Sequence, residues 1–518
     1  MLNHKNLMTL LSVLGVLAAC PAFAVTQFNV RLVSDPQTFD WNIAHTHMET
    51  PIVMNIMEGL VEFDSSMKLK PALAKSWTIS ADKKTYTFKL RTDVKWSDGK
   101  AMSANDFVYS WKRLLDPLTA SSYAYMLFDI EGAEDFNARK TTDFAEVGVK
   151  ALDASTVQVK LKRPVSYFIQ MFTFWVTFPV RQDLVEKHGV SWSKPGIVAV
   201  LGPFIPTEYK ASSHVLLKRN EKYYGKKPMI DSVAMKIINE DSTALNLFRA
   251  GQLDFIRPVN FLEMGDLTKS PAFRESAYYR TCFINVNTRK YPFNLPKVRQ
   301  ALAMAIDVSK IGNIMHRSLR VANSLVDPAI FPEGKNTGLN FNPTEAKKLM
   351  KEAGIEADKL GGVELFSYAS DENALMTQFL QDQIKKNLGL KVEIQLPEFK
   401  MYRTQLELGT ATLYHRCWGA DYVDPDTFMG VFLSDSGNNR TGWKNERYDT
   451  LVKKGAALQN GAERTAVYKE ALDIILRKDA AIVPLYYDSL IYLVTPKFRN
   501  FAINPLNYVF FKDIVVNP

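Results

Sequence analysis

The chain has 518 residues, 47% of them hydrophobic and 23% charged, with a formal net charge of +9. That composition excludes a disordered or collagen-like chain, and the length admits two or three domains. The charges are scattered, with no basic stripe interleaved with aromatics, which argues against a nucleic-acid partner. No repeat of solenoid or propeller period is visible.

Residues 1–24 read as a secretory leader. Lys5 supplies the positive start, Leu7 to Leu17 form an uncharged, mostly apolar run, and Ala22-Phe23-Ala24 gives a small-residue cleavage site just after Pro21. The apolar run is too short to span a bilayer. A second reading is open: Leu17-Ala18-Ala19-Cys20 resembles a lipobox, which would leave Cys20 as a lipid-anchored first residue. Lys5 is the only charged side chain in this stretch, so its removal leaves a formal charge of +8.

Beyond the leader, strand and helix patterns alternate. Phe28 to Val33 is strand-like. His45 and His47, if on a strand, share a face with Glu49, a spacing able to offer two ligands to a metal, although no further ligand completes a set. Tyr86, Phe88 and Leu90 alternate with polar residues as a half-buried strand does, and Val157, Val159 and Leu161 repeat the pattern. Val298, Ala301, Leu302, Ala305 and Ile306 predict an amphipathic helix, as do Val467, Ala471, Ile474 and Ile475. This is an α/β protein of more than one domain. The cysteines left after the leader are Cys282 and Cys417. In an oxidising compartment they are a disulfide candidate, the alternative being two buried thiols. Dinucleotide, P-loop, zinc-protease, redox-dithiol and serine-hydrolase motifs are all missing, so the expectation is a protein that is not an enzyme, without a cofactor or metal.

A series of segments carries a resemblance. PALAKSW (71–77) precedes YTFKLRTDVKWSDGK (86–100), DFVYSWKRLLDP (106–117) and TASSYAYML (119–127). GPF (202–204), LLKRNEKYYG (216–225) and YPFNLPKVRQALAMAID (291–307) follow. WGADYVDPDTF (418–428), NNRTGW (438–443) and DAAIVPLYY (479–487) complete the series. In order and spacing these resemble solute-binding protein family 5, the peptide-binding receptors of ABC importers, and its oligopeptide-binding members most closely. The resemblance covers essentially the whole chain after the leader.

The resemblance implies a two-lobed periplasmic-binding-protein-like fold, of type II and the large cluster C kind, that closes on its ligand by a hinge. Lobe I would comprise 25–57, 182–281 and 491–518, with an extra domain at 58–181, and lobe II would comprise 282–490. The implied partners are a peptide or peptide-like ligand and a membrane permease. The implied setting is the periplasm, and the protein is expected to act as a monomer. The alternative within the family is another solute, such as a metal chelate, haem or a modified cell-wall peptide.

By the same resemblance, Asp421 matches the aspartate that holds a ligand's amino group. The strand before it, about 412–418 and including Cys417, would lend main-chain groups. Trp418 matches a pocket wall, and Tyr123 a tyrosine reaching in from the extra domain. The chain also departs from the family pattern. Asn373, Leu406 and His415 stand where relatives place basic side chains, and Phe399 replaces a tryptophan. His45 and His47 replace a Glu and a Val, and Arg440 replaces a small hydroxyl residue. His415, His45, His47 and Arg440 are then the cations expected to meet a ligand carboxylate. Some relatives join the segments around Cys282 and Cys417 by a disulfide, and the same bond is expected here.

Overall fold

The computed structural model describes residues 26–46, 48–259 and 263–517. The leader, Cys20 and His47 lie outside the described residues.

Among those residues, eleven strands form one mixed sheet. At one end Gln27–Leu32 runs parallel to Ser232–Ile237 and to Phe255–Ile256, and His214–Arg219 and Phe204–Lys210 extend the sheet outward in antiparallel sense. At the other end Leu413–Gly419 leads to Val363–Phe366 and Val392–Gln395, both parallel pairings. Two long strands join these ends. Phe273–Val286 and Ile482–Val494 pair antiparallel in two stretches, Phe273–Ala277 against Leu493–Ser489 and Thr281–Asn285 against Tyr487–Ile482. Their register breaks between Ala277 and Thr281. At about 3.3 Å per residue, the 14-residue strand reaches about 45 Å, enough to belong to both ends at once. Such a break bends and twists the pair locally.

A separate four-stranded antiparallel sheet comes from Ala74–Ile79, Thr85–Leu90, Thr156–Lys160 and Val149–Asp153, in that spatial order. Tyr86 and Phe88 face Val159 and Val157 across it, all four buried, as the period-2 pattern predicts. The helix Ala104–Leu115 covers this sheet with Phe107, Trp111 and Leu114. Its start is fixed by Asp106, whose carboxylate accepts the Ser103 backbone N–H at 2.8 Å.

The helix predicted around Val298 runs Pro296–Met304, and Ala305 and Ile306 are buried just beyond its end. The second predicted helix is Ala462–Asp473, and a π turn, Ile474–Lys478, continues it. Cys282 and Cys417 stand directly opposite each other on antiparallel strands and form the expected disulfide.

Candidate functional site

Between the two ends of the sheet lies a cleft of about 570 Å3, within the range of small-ligand sites. Its floor is the strand Leu413–Gly419. One edge of that strand is paired throughout with Phe273–Val286, from Leu413 opposite Val286 to Gly419 opposite Arg280. The other edge is paired only at Leu413 and Tyr414, with Leu365 and Phe366. From His415 to Gly419, therefore, one edge has no strand partner among the described residues. The hydroxyl of Tyr402 donates to the His415 carbonyl at 3.0 Å, which marks His415 as a residue whose main chain points outward. By antiparallel alternation, Cys417 and Gly419 then also turn their N–H and C=O groups toward the cleft.

The strand ends in a fixed turn. Ala420 donates its N–H to the Tyr279 carbonyl at 2.7 Å, Asp421 donates its N–H to the Thr427 hydroxyl at 3.0 Å, and the Trp418 indole N–H donates to the Thr427 carbonyl at 2.9 Å. Behind the turn, the buried Asp424 carboxylate accepts from Arg464 at 2.7 and 2.9 Å. The turn is thus anchored from below, and the Asp421 side chain is left to the cleft. That carboxylate accepts no hydrogen bond and meets no cation among the described residues. Burial alone pushes its pKa up to about 7. Tyr123, Tyr125 and Tyr508 lie close enough for its charge to raise their own pKa values further.

Aromatic side chains form the wall near Asp421. Tyr123 packs on Phe174 and Trp175, with ring centres 5.0 and 5.8 Å apart, and Trp175 reaches Tyr508 at 5.9 Å. The Trp175 indole donates to the Ala44 carbonyl at 2.9 Å, which fixes its plane. At the far side the helix Phe399–Leu408 contributes Phe399, Tyr402 and Leu406. Phe399 is half exposed and meets Tyr368 edge-on at 5.3 Å. Asn373 also borders the cleft, but its amide donates to the Tyr368 carbonyl at 2.9 Å and braces the wall.

The structure thus gathers Asp421, Trp418, Cys417, Tyr123, His415, Phe399, Asn373 and Leu406 around one cavity. His45 does not join them. It is exposed in a turn rather than on a strand, with its ring at 3.1 Å from the Ile43 carbonyl. Glu49, expected beside it, is fully buried and accepts the backbone N–H groups of Gln37 and Thr46, each at 2.8 Å. Glu49 thus faces inward while His45 faces outward, so these two do not share a face. Among the described residues, no three metal-ligating side chains cluster.

The expected cations also need correction. His415 is buried, and burial, helped by the nearby Arg280 charge, pushes its pKa down to about 4. In the ligand-free cleft this burial disfavours the charged form of the ring near neutral pH. Arg440 stands outside the lining, close enough to disfavour the charge on Arg416. The cations that do line the cleft are Arg257, Arg280, Arg403 and Arg416. Arg403 pairs with Glu407 at 3.4 Å. Arg280 pairs with Asp488 at 3.1 Å, and Arg317 binds Asp488 and Glu372, each at 2.7 Å. Arg416 meets no carboxylate among the described residues. It donates to the Asn438 carbonyl at 3.1 Å and lies over the Trp418 ring at 5.6 Å, and burial pulls its pKa down to about 10. It stands two residues before Trp418, on the same face of the strand, so period-2 reading could have found it. Arg257 had no such local signal.

Comparison with known proteins agrees with this architecture. The profile of the bacterial extracellular solute-binding proteins, family 5 Middle, matches residues 68–440. The chain is 32% identical over 500 residues to the probable deoxycholate-binding periplasmic protein YgiS of Escherichia coli, covering 93% of this chain and 92% of that one. It is also 32% identical to the periplasmic oligopeptide-binding protein OppA of Salmonella typhimurium, covering 93% and 91%. Among solved structures, a periplasmic oligopeptide-binding protein of Borrelia burgdorferi, OppAIV, superposes with a TM-score of 0.82 at 29% identity, covering 95% of this chain and all of that one. With a two-ended α/β sheet around a ligand-sized cleft and a profile match over most of its length, the chain belongs to the bacterial extracellular solute-binding proteins of family 5.

Proposed function

We propose that this protein is the extracytoplasmic solute-binding component of an ABC importer, and that its ligand is a short peptide held in extended form. The observation that carries the reading is the strand edge from His415 to Gly419, unpaired among the described residues, which ends in a half-buried, uncompensated carboxylate at Asp421. A peptide added at this edge bonds main chain to main chain whatever its side chains. Its ammonium group meets Asp421 at one end, and its carboxylate turns toward Arg416 at the other. Five edge residues span about 13 Å, which suits about four ligand residues. A buried carboxylate without a partner is costly, and a ligand ammonium removes that cost.

A bile acid, the ligand in the name of one relative, carries a carboxylate and no ammonium. It would leave Asp421 unpaired, so Asp421 counts against it. The proposed role is capture and release through hinge closure, without covalent chemistry. The proposed hinge lies on the two long strands, with lobe I at 25–57, 182–281 and 491–518, an extra domain at 58–181 and lobe II at 282–490. The relatives' names place them in the periplasm. Export here would follow from the leader at 1–24 by cleavage after Ala24, with lipidation at Cys20 as the alternative, and delivery would be to a membrane permease by a monomer. Among the described residues no helix is long and apolar enough to cross a membrane.

Native mass spectrometry of the protein purified from its own cells tests the ligand class. A bound mass that fragments into amino acids supports the reading. A bound sterol or chelate with no peptide bond refutes it.

A further inference from the structure

Once the ion pairs among the described residues are counted, two cleft cations are left over, Arg416 and Arg257. Arg257 follows directly on the short strand Phe255–Ile256, on the wall opposite Leu413–Gly419. Around it, Arg280 and Arg317 are matched by Asp488 and Glu372, two cations to two carboxylates. Arg257 makes this group net positive. It makes no ion pair with a carboxylate among the described residues and donates to the side-chain oxygen of Asn507. Its position is shared between the main cleft and a smaller side cavity of about 230 Å3, both also bordered by Thr50 and Asn507. The charged and phenolic groups that act on it are Tyr278, Arg280, Asp488 and Tyr492. Those that act on Arg416 are Tyr402, Arg403 and Arg440. Among the described residues, no cation acts on Asp421. The three unpaired charges therefore sit at three separate places on the cleft wall.

We infer that the ligand carries two carboxylates, and that Arg257 holds the second, on an acidic side chain that crosses the cleft from the strand edge. This rests on the peptide reading, in which Asp421 takes the ammonium and Arg416 the main-chain carboxylate. A guanidinium partly removed from water and lacking a counter-ion is costly, and a ligand carboxylate met by its planar fork removes that cost with paired hydrogen bonds. An uncharged amide of the same shape offers one acceptor and no charge.

The test is calorimetry on the exported chain with alanine tetrapeptides that carry Glu, or Gln in its place, at each position in turn. The native protein should bind one of the Glu peptides at least tenfold more tightly than its Gln counterpart. In R257Q that ratio should fall to near one, and in R257K it should recover in part. Melting curves confirm that each variant is folded. A ratio near one at all four positions, with tetra-alanine still binding, overturns the acidic ligand and leaves the peptide reading intact. A tenfold ratio that persists in folded R257Q overturns the role of Arg257. Failure of every peptide to bind overturns both readings together.

Discussion

Without a ligand, Asp421 keeps its proton up to about pH 7, because burial disfavours its charge and no cation offsets it. Pairing with an ammonium reverses this, so binding must release that proton whenever the pH lies below 7. Two outcomes follow at this scale. D421N should weaken peptide binding by about 2–5 kcal/mol at pH 7.5, the range for breaking a buried charged pair, as read by calorimetry. The same substitution should raise the melting temperature of the ligand-free protein at pH 8. A carboxyl whose folded pKa lies above its unfolded value loses stability as pH rises between the two, and the amide has no such loss. At pH 4 the melting temperatures of D421N and the native protein should converge, and a gap that persists there would show that burial of the charge is not the cause. The placement of Asp421, Trp418 and Tyr123 at the cleft was legible because they sit in segments that match the family in order. Arg257 was not legible, because its meaning depends on which carboxylates the fold brings near it. His45 was misread because alternation alone does not separate a strand from a turn, and here Glu49 closes the turn through backbone N–H groups.

At the scale of elements, the disulfide ties the strand with the open edge to the long strand that joins the two ends of the sheet. It closes a loop of 135 residues, for which the loop-entropy account gives about 4–5 kcal/mol. Replacing both cysteines by serine should therefore lower unfolding stability by up to that amount in denaturant titration. A chain lacking its first 24 residues should show no free thiol when denatured without reductant, and two free thiols would contradict the bond. The regular elements were readable from period and caps: Thr85–Leu90 from its alternation, and Pro296–Met304 from its apolar stripe. The open edge of Leu413–Gly419 was not, because no sequence pattern records that Val363–Phe366 stops after two paired residues.

For the whole molecule, two strands with a break in register connect the ends of one sheet, and the cleft lies between those ends. A ligand that touches both walls must favour the closed arrangement by its differential contacts. Peptide binding should accordingly reduce the radius of gyration in solution scattering, and an unchanged profile at saturation would argue against hinge closure. The central claim is that Asp421 receives a peptide's ammonium group, and calorimetric titration of tetra-alanine from pH 5.5 to 7.5, in the native protein and in D421N, tests it most directly. The account predicts affinity that falls as the pH drops below 7, approaching tenfold per unit, in the native protein, and a flat profile in D421N. A native profile as flat as that of D421N, or tight binding of the N-acetylated peptide, would contradict it.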